Sequence, residues 1–264
     1  MQYVLAVYLP GLLLGGLAFW WSMTHGLWWA TLIGWALVSG LGIAVGFHRI
    51  YSHKTHELPE WLDNLILLLG TLGGQGSSIS WVAVHRGYHH RFSDTPKDLH
   101  SPVNGFWNSV IGWYWKLTPE TINHKYAVDL LRRPNHVLVH RHYIIHLWSC
   151  VVFIAALYPL FGWTPLFLYG SVLFISLVQD NLVNSLCHLT KVGYANFDVG
   201  DRSRNFWLLG YFGWGQGWHN NHHALPAQFD FGVKWWEFDP CRLWLPFLKL
   251  FGATARVEKT NGIA

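Results

Sequence analysis

The sequence has few charged residues, and two long stretches have none. Charged side chains make up 12% of the 264 residues, and residues 1–48 and 143–179 lack Asp, Glu, Lys and Arg altogether. Each stretch can hold two helical spans of about 20 residues joined by a tight turn. We therefore predict an all-α integral membrane protein with four transmembrane helices in two hairpins, near residues 3–23, 27–47, 143–161 and 165–187.

Cysteine is also scarce. The three cysteines, Cys150, Cys187 and Cys241, lie far apart in the sequence and form no CxxC pair. The chain therefore encodes neither a thiolate zinc site nor a disulfide framework. This pattern fits reduced, cytosol-facing chemistry.

The uncharged stretches could instead form two buried helical hairpins in a soluble protein. However, the chain has 18 Trp, and two tryptophan pairs, Trp20 with Trp21 and Trp28 with Trp29, flank the first predicted turn. Tryptophan at the ends of a span is typical of the aromatic belt at a membrane interface. The membrane interpretation therefore explains the composition better.

Lysine and arginine are absent from both predicted hairpin turns. All 18 lie in two segments, from Arg49 to Arg141 and from Lys191 to Lys259. Because positive charge collects on the cytoplasmic side of a membrane, we expect both segments and both termini in the cytoplasm. The net charge of +4 then faces membrane lipids and cytosolic partners, and no nucleic-acid-binding module is visible. We expect a single membrane domain over residues 1–264, without a cleavable signal peptide.

Histidine, in contrast, is abundant, with 17 residues in the chain. Nine of them form three clusters and one outlier: His48 and His53; His85, His89 and His90; His219, His222 and His223; and His188. Imidazole suits iron, copper, nickel and zinc, and nine nitrogen ligands exceed what one ion can hold. The pattern therefore predicts two metal ions.

Helical spacing suggests how these clusters divide between two ions. On an α-helix, His85 and His89 would share one face, as would His219, His222 and His223, whereas His90 would point away from His89. One helical turn could then supply ligands to two neighbouring ions. We expect backbone carbonyls with Asp94, Asn220 or Asn221 to orient the rings.

The uncharged segment 64–84 could pass for a fifth span. A crossing there would separate His48 and His53 from His85 across the membrane, and its Gly-rich second half is too polar for lipid contact. We predict an interfacial or re-entrant helix that covers the metal site. Residues 205–218 and 243–251 are predicted to be interfacial because each is too short to cross.

The histidine motifs also follow a familiar order. HxxxxH, HxxxHH, NSxxH and HNxHH, with two hydrophobic hairpins between them, resemble the membrane-bound fatty acyl desaturases of the Δ9 (stearoyl-type) branch. The likeness runs from about Gly46 to Trp236. It implies that the nine histidines bind two iron ions and that Asn184 holds a water on one of them.

The resemblance also implies an activity. Such an enzyme is an O2-dependent oxidoreductase that introduces a cis double bond, at Δ9, into a saturated acyl chain on CoA, acyl carrier protein or lipid. With no cytochrome b5-like domain fused, electrons are expected from a separate ferredoxin, rubredoxin or cytochrome b5. The compact length favours a bacterial inner membrane, with the endoplasmic reticulum as the alternative. Two alternatives remain. One is a related di-iron lipid hydroxylase or acetylenase, and the other is a non-enzymatic lipid-binding or metal-sensing protein.

The chain departs from the family pattern at several positions. It has Asp98-Leu-His100 in place of Asp-Pro-His, and Gly215-Gln-Gly217 in place of Gly-Glu-Gly. Asp180 and Asn181 stand where relatives commonly carry Thr and Trp that line the acyl chain. An ionisable residue inside a span is a candidate functional residue, so we predict that Asp180 and Asn181 line the substrate. Alternatively, Asp180 hydrogen-bonds a neighbouring helix or is hydrated.

Overall fold

Helices account for nearly all regular structure in the computed structural model, which describes residues 2–118 and 122–256. The ends of the predicted domain, with Lys259, lie outside the described residues. The α-helices are Leu9–Thr24, Trp28–Trp35, Glu60–Leu72, Ser78–Val84, His90–Phe92, Phe106–Val110, Val128–Leu131, Pro134–Arg141, Tyr143–Ala155, Tyr158–Phe161, Thr164–Leu186, Trp207–Phe212, His219–Ala224 and Leu245–Leu250. The π-helices are Val4–Tyr8, Ala36–Ser52 and His85–His89. The 3-10 helices are Pro102–Asn104, Gly112–Lys116, His124–Ala127 and Pro240–Trp244. Strands His56–Glu57 and Thr254–Ala255 pair antiparallel.

Three continuous helices are long and apolar enough to cross a bilayer. They are Val4–Thr24, Trp28–Ser52 and Thr164–Leu186, called here the first, second and last membrane helices. They coincide closely with three of the four predicted spans. The second is longer than predicted, so that His48 lies within its final turns rather than after it.

The predicted span 143–161 is not one continuous helix. Tyr143–Ala155 has only 13 residues and passes as a span only together with Pro134–Arg141, to which it is bent by 86°. The bend lies at His142, whose φ of −125° and ψ of 30° leave the helical region. At the other end, Tyr143–Ala155 stops and a short helix begins at Tyr158, with Pro159 in its first turn, where a missing N–H is tolerated. The described residues therefore give three spans, or four with the bent pair.

Small residues bring the membrane helices together. A Cβ on Gly15 of the first helix would lie 2.7 Å from the carbonyl oxygen of Gly170 in the last helix. Nearby, the hydroxyls of Ser22 and Ser171 lie 2.9 Å apart. Small-residue interfaces of this kind permit close approach of helices in lipid. The last membrane helix, rather than the adjacent second helix, is the main neighbour of the first.

The segment predicted to lie at the interface folds as two short helices. Glu60–Leu72 packs against the second membrane helix, where a Cβ on Gly42 would come within 2.5 Å of the Gly70 nitrogen. This helix has 13 residues, too few to cross a bilayer. After a glycine-rich break, Ser78–Val84 runs directly into the π-helix that carries the second histidine cluster. The chain thus enters the metal site from a non-spanning segment.

Candidate metal centre

The structure gathers the nine clustered histidines into two adjacent groups. The five-histidine group contains His48, His53, His85, His90 and His222, and the four-histidine group contains His89, His188, His219 and His223. Within each group, one nitrogen of every ring lies within 4.8 Å of all the others. Residues from the beginning, middle and end of the chain therefore converge on two points.

The π-helical turns decide which ring joins which group. In a π-helix each N–H bonds the carbonyl five residues earlier. The N–H of His90 bonds the carbonyl of His85 in this way, and the N–H of His53 bonds that of His48 at 3.1 Å. Rings five residues apart therefore share a side, and both pairs belong to the five-histidine group.

The expected face sharing was consequently wrong at two places. His85 pairs with His90 rather than with His89, because the turn is π-helical rather than α-helical. In the third cluster, His219 and His223 join the four-histidine group while His222 points to the other. The idea that one helical turn supplies both groups holds at these two clusters.

Distances within the five-histidine group fit a single ion. The Nε2 atom of His222 lies 3.0 Å from that of His48 and 2.9 Å from that of His90. The Nε2 atom of His85 lies 2.9 Å from that of His53 and 3.0 Å from that of His90. Ligands at right angles around an ion with metal–nitrogen bonds of about 2.1 Å would be about 3.0 Å apart. The spacing therefore matches neighbouring positions of one coordination sphere.

The four-histidine group shows the same convergence. The Nε2 atom of His219 lies 2.9 Å from that of His188 and 3.3 Å from that of His89. The Nε2 atom of His223 lies 3.1 Å from that of His89 and 3.2 Å from that of His219. A metal ion that accepts more than four ligands could therefore bind additional ligands besides these four histidines.

Carboxylates orient three rings of the four-histidine group. The Nδ1 atoms of His89, His188 and His223 lie 3.0, 2.9 and 2.7 Å from Asp98, Asp94 and Asp201. A neutral imidazole carries one proton, and a carboxylate partner draws that proton to Nδ1. Each Nε2 then presents a lone pair to the common point, as in metal sites with carboxylate-backed histidines. A cation would satisfy these converging lone pairs.

Burial keeps these rings in the form that binds metal. It lowers the pKa of His53 and of His89 to about 3, for His89 against the opposing pull of Asp98. Burial alone would raise the pKa of Asp98 and Asp201, but the neighbouring histidines hold both well below the usual range. Neutral imidazoles facing the centre and ionised carboxylates behind them are the protonation states that a divalent cation needs.

The five-histidine group is supported differently. Within the part of the chain that the structure describes, no carboxylate pairs with its rings, and Nδ1 of His48 and of His222 are buried without a partner. Aromatic packing takes the place of carboxylates. Trp81 stacks on His85 with ring centroids 4.9 Å apart, and Phe231 lies 4.4 Å from His222.

A buried arginine braces this aromatic support. Arg49, next to His48, is fully buried and forms a 2.7 Å ion pair with Asp239. Its guanidinium also donates to the carbonyls of Phe229, Ala44 and Trp214 and lies 3.9 Å from the ring centroid of Phe231. The second membrane helix is thereby tied to the segment that packs on His222.

A cavity of about 870 Å³ borders the five-histidine group at His85. Its wall at His85, His100, Asp180 and Asn184 is called here the inner end. Its outer end lies near the bend between Pro134–Arg141 and Tyr143–Ala155. The arrangement can hold a long apolar ligand beside the histidines.

The comparisons agree with this geometry. The family model for fatty acid desaturases matches residues 26–251. The chain belongs to the fatty acid desaturase family. It is therefore an oxidoreductase, and its histidine groups and apolar cavity lie within the matched part of the chain.

Individual desaturases are similar over most of the chain. An sn-2 palmitoyl-lipid 9-desaturase from Nostoc sp. (strain 36) is 37% identical over 84% of this chain and 78% of its own length. An sn-1 stearoyl-lipid 9-desaturase from Anabaena variabilis is 36% identical over 87% of this chain and 82% of its own. An acyl-CoA 5-desaturase from Anemone leveillei is 32% identical over 87% of this chain and 71% of its own.

The predicted substrate-lining residues occupy different places in this desaturase. Asp180 lines the cavity, where Asn184 donates a 3.4 Å hydrogen bond to its carboxylate. Asn181 does not line the cavity and instead hydrogen-bonds the hydroxyl of Tyr8 in the first membrane helix. It lies one residue on from Asp180, so the helix turns its side chain toward a neighbouring helix.

Sequence reasoning missed several residues that support the desaturase site. Asp94 meets His188 as expected, but Asn220 and Asn221 bond other parts of the chain rather than the rings. Asp98 and Asp201 were not anticipated. His100 was given no site role, yet it packs 4.5 Å from His89 and forms a third potential metal-binding group with His89 and Asp98. The closeness of Asp98 to the second histidine cluster was the available signal.

Proposed function

We propose that this protein is an O2-dependent fatty acyl desaturase that introduces a cis double bond, at Δ9, into a saturated acyl chain. The observation that carries the proposal is the division of nine buried or partly buried histidines into two convergent groups, with a largely apolar cavity beside them. Two of the relatives described above are named 9-desaturases. The matched family region and the cavity fit one membrane domain over residues 1–264.

Iron is the metal that fits the reaction. Zinc would suit imidazole but has no redox chemistry. Removing one hydrogen from each of two adjacent methylenes consumes O2, two electrons and two protons and yields two waters. When bound, a pair of irons would supply this oxidative chemistry. The five-histidine and four-histidine groups would hold one ion each, and Asn184, on the inner cavity wall, would hold a water on the ion of the four-histidine group.

The chain's own residues supply positioning and shelter. The cavity would align the acyl chain so that only selected methylenes reach the centre. Asp94, Asp98 and Asp201 keep three rings in one orientation through their hydrogen bonds. Trp81 and Trp113 on the cavity wall exclude bulk water from its inner end. Alignment and dryness favour hydrogen removal over side reactions.

The acyl carrier we propose is a membrane lipid, as in the names of the two 9-desaturases. CoA, which the name of the Anemone relative includes, and acyl carrier protein are the alternatives. Electrons would come from a separate ferredoxin, rubredoxin or cytochrome b5. We place the protein in a bacterial inner membrane with the histidine groups on the cytoplasmic side, since the Lys and Arg residues cluster around them.

Lipid analysis of an expressing host tests the activity. A bacterium that makes only saturated fatty acids would express the protein with a matched electron donor, and His89→Ala would serve as the inactive control. We expect lipids with one new cis double bond at carbon 9 in the wild-type strain alone. Hydroxylated or acetylenic products would replace the proposal by a related oxygenase, and unchanged lipids despite iron loading would refute it.

A further inference from the structure

The outer end of the cavity is polar, although an acyl chain needs no polar partner. Ser77, Ser80, His124, His140 and Arg141 all line it. Methylene groups cannot pair with hydroxyls, imidazoles or a guanidinium, and covering these groups with a hydrocarbon would carry a desolvation cost. The outer end therefore suits a polar part of a ligand better than its hydrocarbon.

The polar groups form one connected cluster. Nδ1 of His140 lies 2.7 Å from the hydroxyl of Ser77 and 3.3 Å from that of Ser80. The ring of His124 packs edge-on against His140 with centroids 4.9 Å apart. Nε2 of His124 is buried and has no hydrogen-bond partner in residues 2–118 and 122–256. The cluster thus offers an unused polar atom beside the cavity.

Among the described residues, the Lys or Arg charge at this end comes from one arginine. Arg141 is the one Lys or Arg among the described residues of the cavity wall, and no described carboxylate pairs with it. Asp180 is the one acidic residue among them. A single phosphodiester matches one fixed positive charge. Coenzyme A carries several phosphate groups, more than the one described arginine of the cavity wall can pair.

The position of the opening also favours a lipid. Arg141 ends the helix Pro134–Arg141, and the apolar membrane-entering helix Tyr143–Ala155 follows at once. Ile145, on that helix, lines the cavity and is 65% exposed. The mouth therefore lies where a polar surface meets an apolar one, as lipid headgroups do at the membrane interface.

We propose that the Ser77, Ser80, His124, His140 and Arg141 cluster binds the phosphodiester headgroup of a glycerophospholipid whose acyl chain extends along the cavity to the histidines. The assignment rests on the proposed desaturase function and adds the carrier and its recognition site. Arg141 would form charge-assisted hydrogen bonds with the phosphate. The serine–histidine cluster would donate to the remaining phosphate or ester oxygens.

Binding to metal-free protein tests this site apart from catalysis. Dipalmitoylphosphatidylglycerol would be titrated into the purified protein in detergent, and the complex with one lipid would be counted by native mass spectrometry. Arg141→Gln should weaken binding about tenfold, as expected for loss of a charged hydrogen-bond pair. Ser77→Ala with Ser80→Ala should weaken it less. Arg132→Gln, an exposed arginine outside the cavity wall, is the matched control and should bind as wild type does.

Competing ligands distinguish the possible carriers. Palmitoyl-CoA should displace the phospholipid poorly, and a dipalmitoyl galactolipid should bind less tightly and be insensitive to Arg141→Gln. The headgroup assignment would be overturned if palmitoyl-CoA bound more tightly than the phospholipid or if the galactolipid bound as tightly. It would also be overturned if Arg141→Gln and Arg132→Gln lost equal affinity for the phospholipid. If the phospholipid binds as expected but the iron-loaded protein forms no double bond, the desaturase function fails while the binding site stands.

Discussion

Arg49→Met should destabilise the protein more than removal of any exposed ion pair. The substitution keeps most of the side-chain volume but removes the charge that pairs with the fully buried Asp239. Asp239 retains hydrogen bonds from the backbone N–H groups of Phe231 and Cys241. Its negative charge, however, would be buried without a cation.

The expected magnitude follows from this stranded charge. Breaking a buried ion pair by removing one partner costs about 3–5 kcal/mol. For a chain of this size, that corresponds to a fall in melting temperature of roughly 6–20 °C. Adding Asp239→Asn removes the stranded charge, so the double variant should be more stable than Arg49→Met alone. Arg256→Met breaks the exposed pair with Glu57 and should cost less than about 1 kcal/mol.

Arg49→Met should also affect the five-histidine group before the four-histidine group. Arg49 lies against Phe231, which packs on His222, and follows His48 directly. We therefore expect metal content to fall from about two ions per chain toward one before the fold is lost, with the four-histidine group still loaded. Thermal unfolding and metal analysis of the purified protein would measure both effects. An unchanged melting temperature together with two bound ions would refute the reasoning.

Three further predictions concern the metals, pH and the cavity. His222→Ala should lower the metal content of the five-histidine group and His89→Ala that of the four-histidine group, while both variants still insert into the membrane. Elemental analysis would measure the metal content, and full content in either variant would remove that residue from the ligand set. Burial opposes ionisation of Asp129, but hydrogen bonds from Arg86 lower its pKa to about 2. Because this pKa lies below the usual 3.8, the stabilisation by Asp129 is present at neutral pH and lost as the pH falls through 2. Asp129→Asn should therefore lower stability by less than about 1 kcal/mol at pH 7 and by progressively less as the pH falls toward 2, as pH-dependent unfolding would show. Asp180→Thr should shift chain-length preference or double-bond position in product analysis, with metal content unchanged, and identical products would exclude substrate contact by Asp180. Asn181→Trp should instead disturb packing against the first membrane helix.

The spans could be predicted from the sequence to the extent that they depend on charge. The uncharged stretches 1–48 and 143–179 cover the first membrane helix and most of the second and the last, because an isolated charge in lipid is costly. The break at His142 and the restart at Tyr158 depend on local backbone geometry, which hydropathy does not report. The third span was therefore predicted as one helix and is two.

The candidate site could be predicted as a set of residues but not as an arrangement. Nine histidines in close clusters imply two ions by ligand number alone. Their division between the groups depends on π-helical hydrogen bonds at His48–His53 and His85–His90, which α-helical spacing cannot anticipate. The partnership of Asp201 with His223 joins residues 22 positions apart, with the helix Trp207–Phe212 between them. Such contacts follow from the tertiary fold and carry no periodic signal.

The last membrane helix connects the cavity to the metal centre. Thr164–Leu186 carries Asp180 and Asn184 on the cavity wall and ends two residues before His188 of the four-histidine group. Its close packing on the first membrane helix leaves little freedom for tilting, since a single added methyl group at Gly15 would already clash. The positions of Asp180 and Asn184 relative to His188 are therefore set by packed helices rather than by a flexible loop. If the proposed lipid lies against these two residues, helix–helix contacts far from the histidines would help to determine which methylene reaches the metals, and hence the position of the double bond.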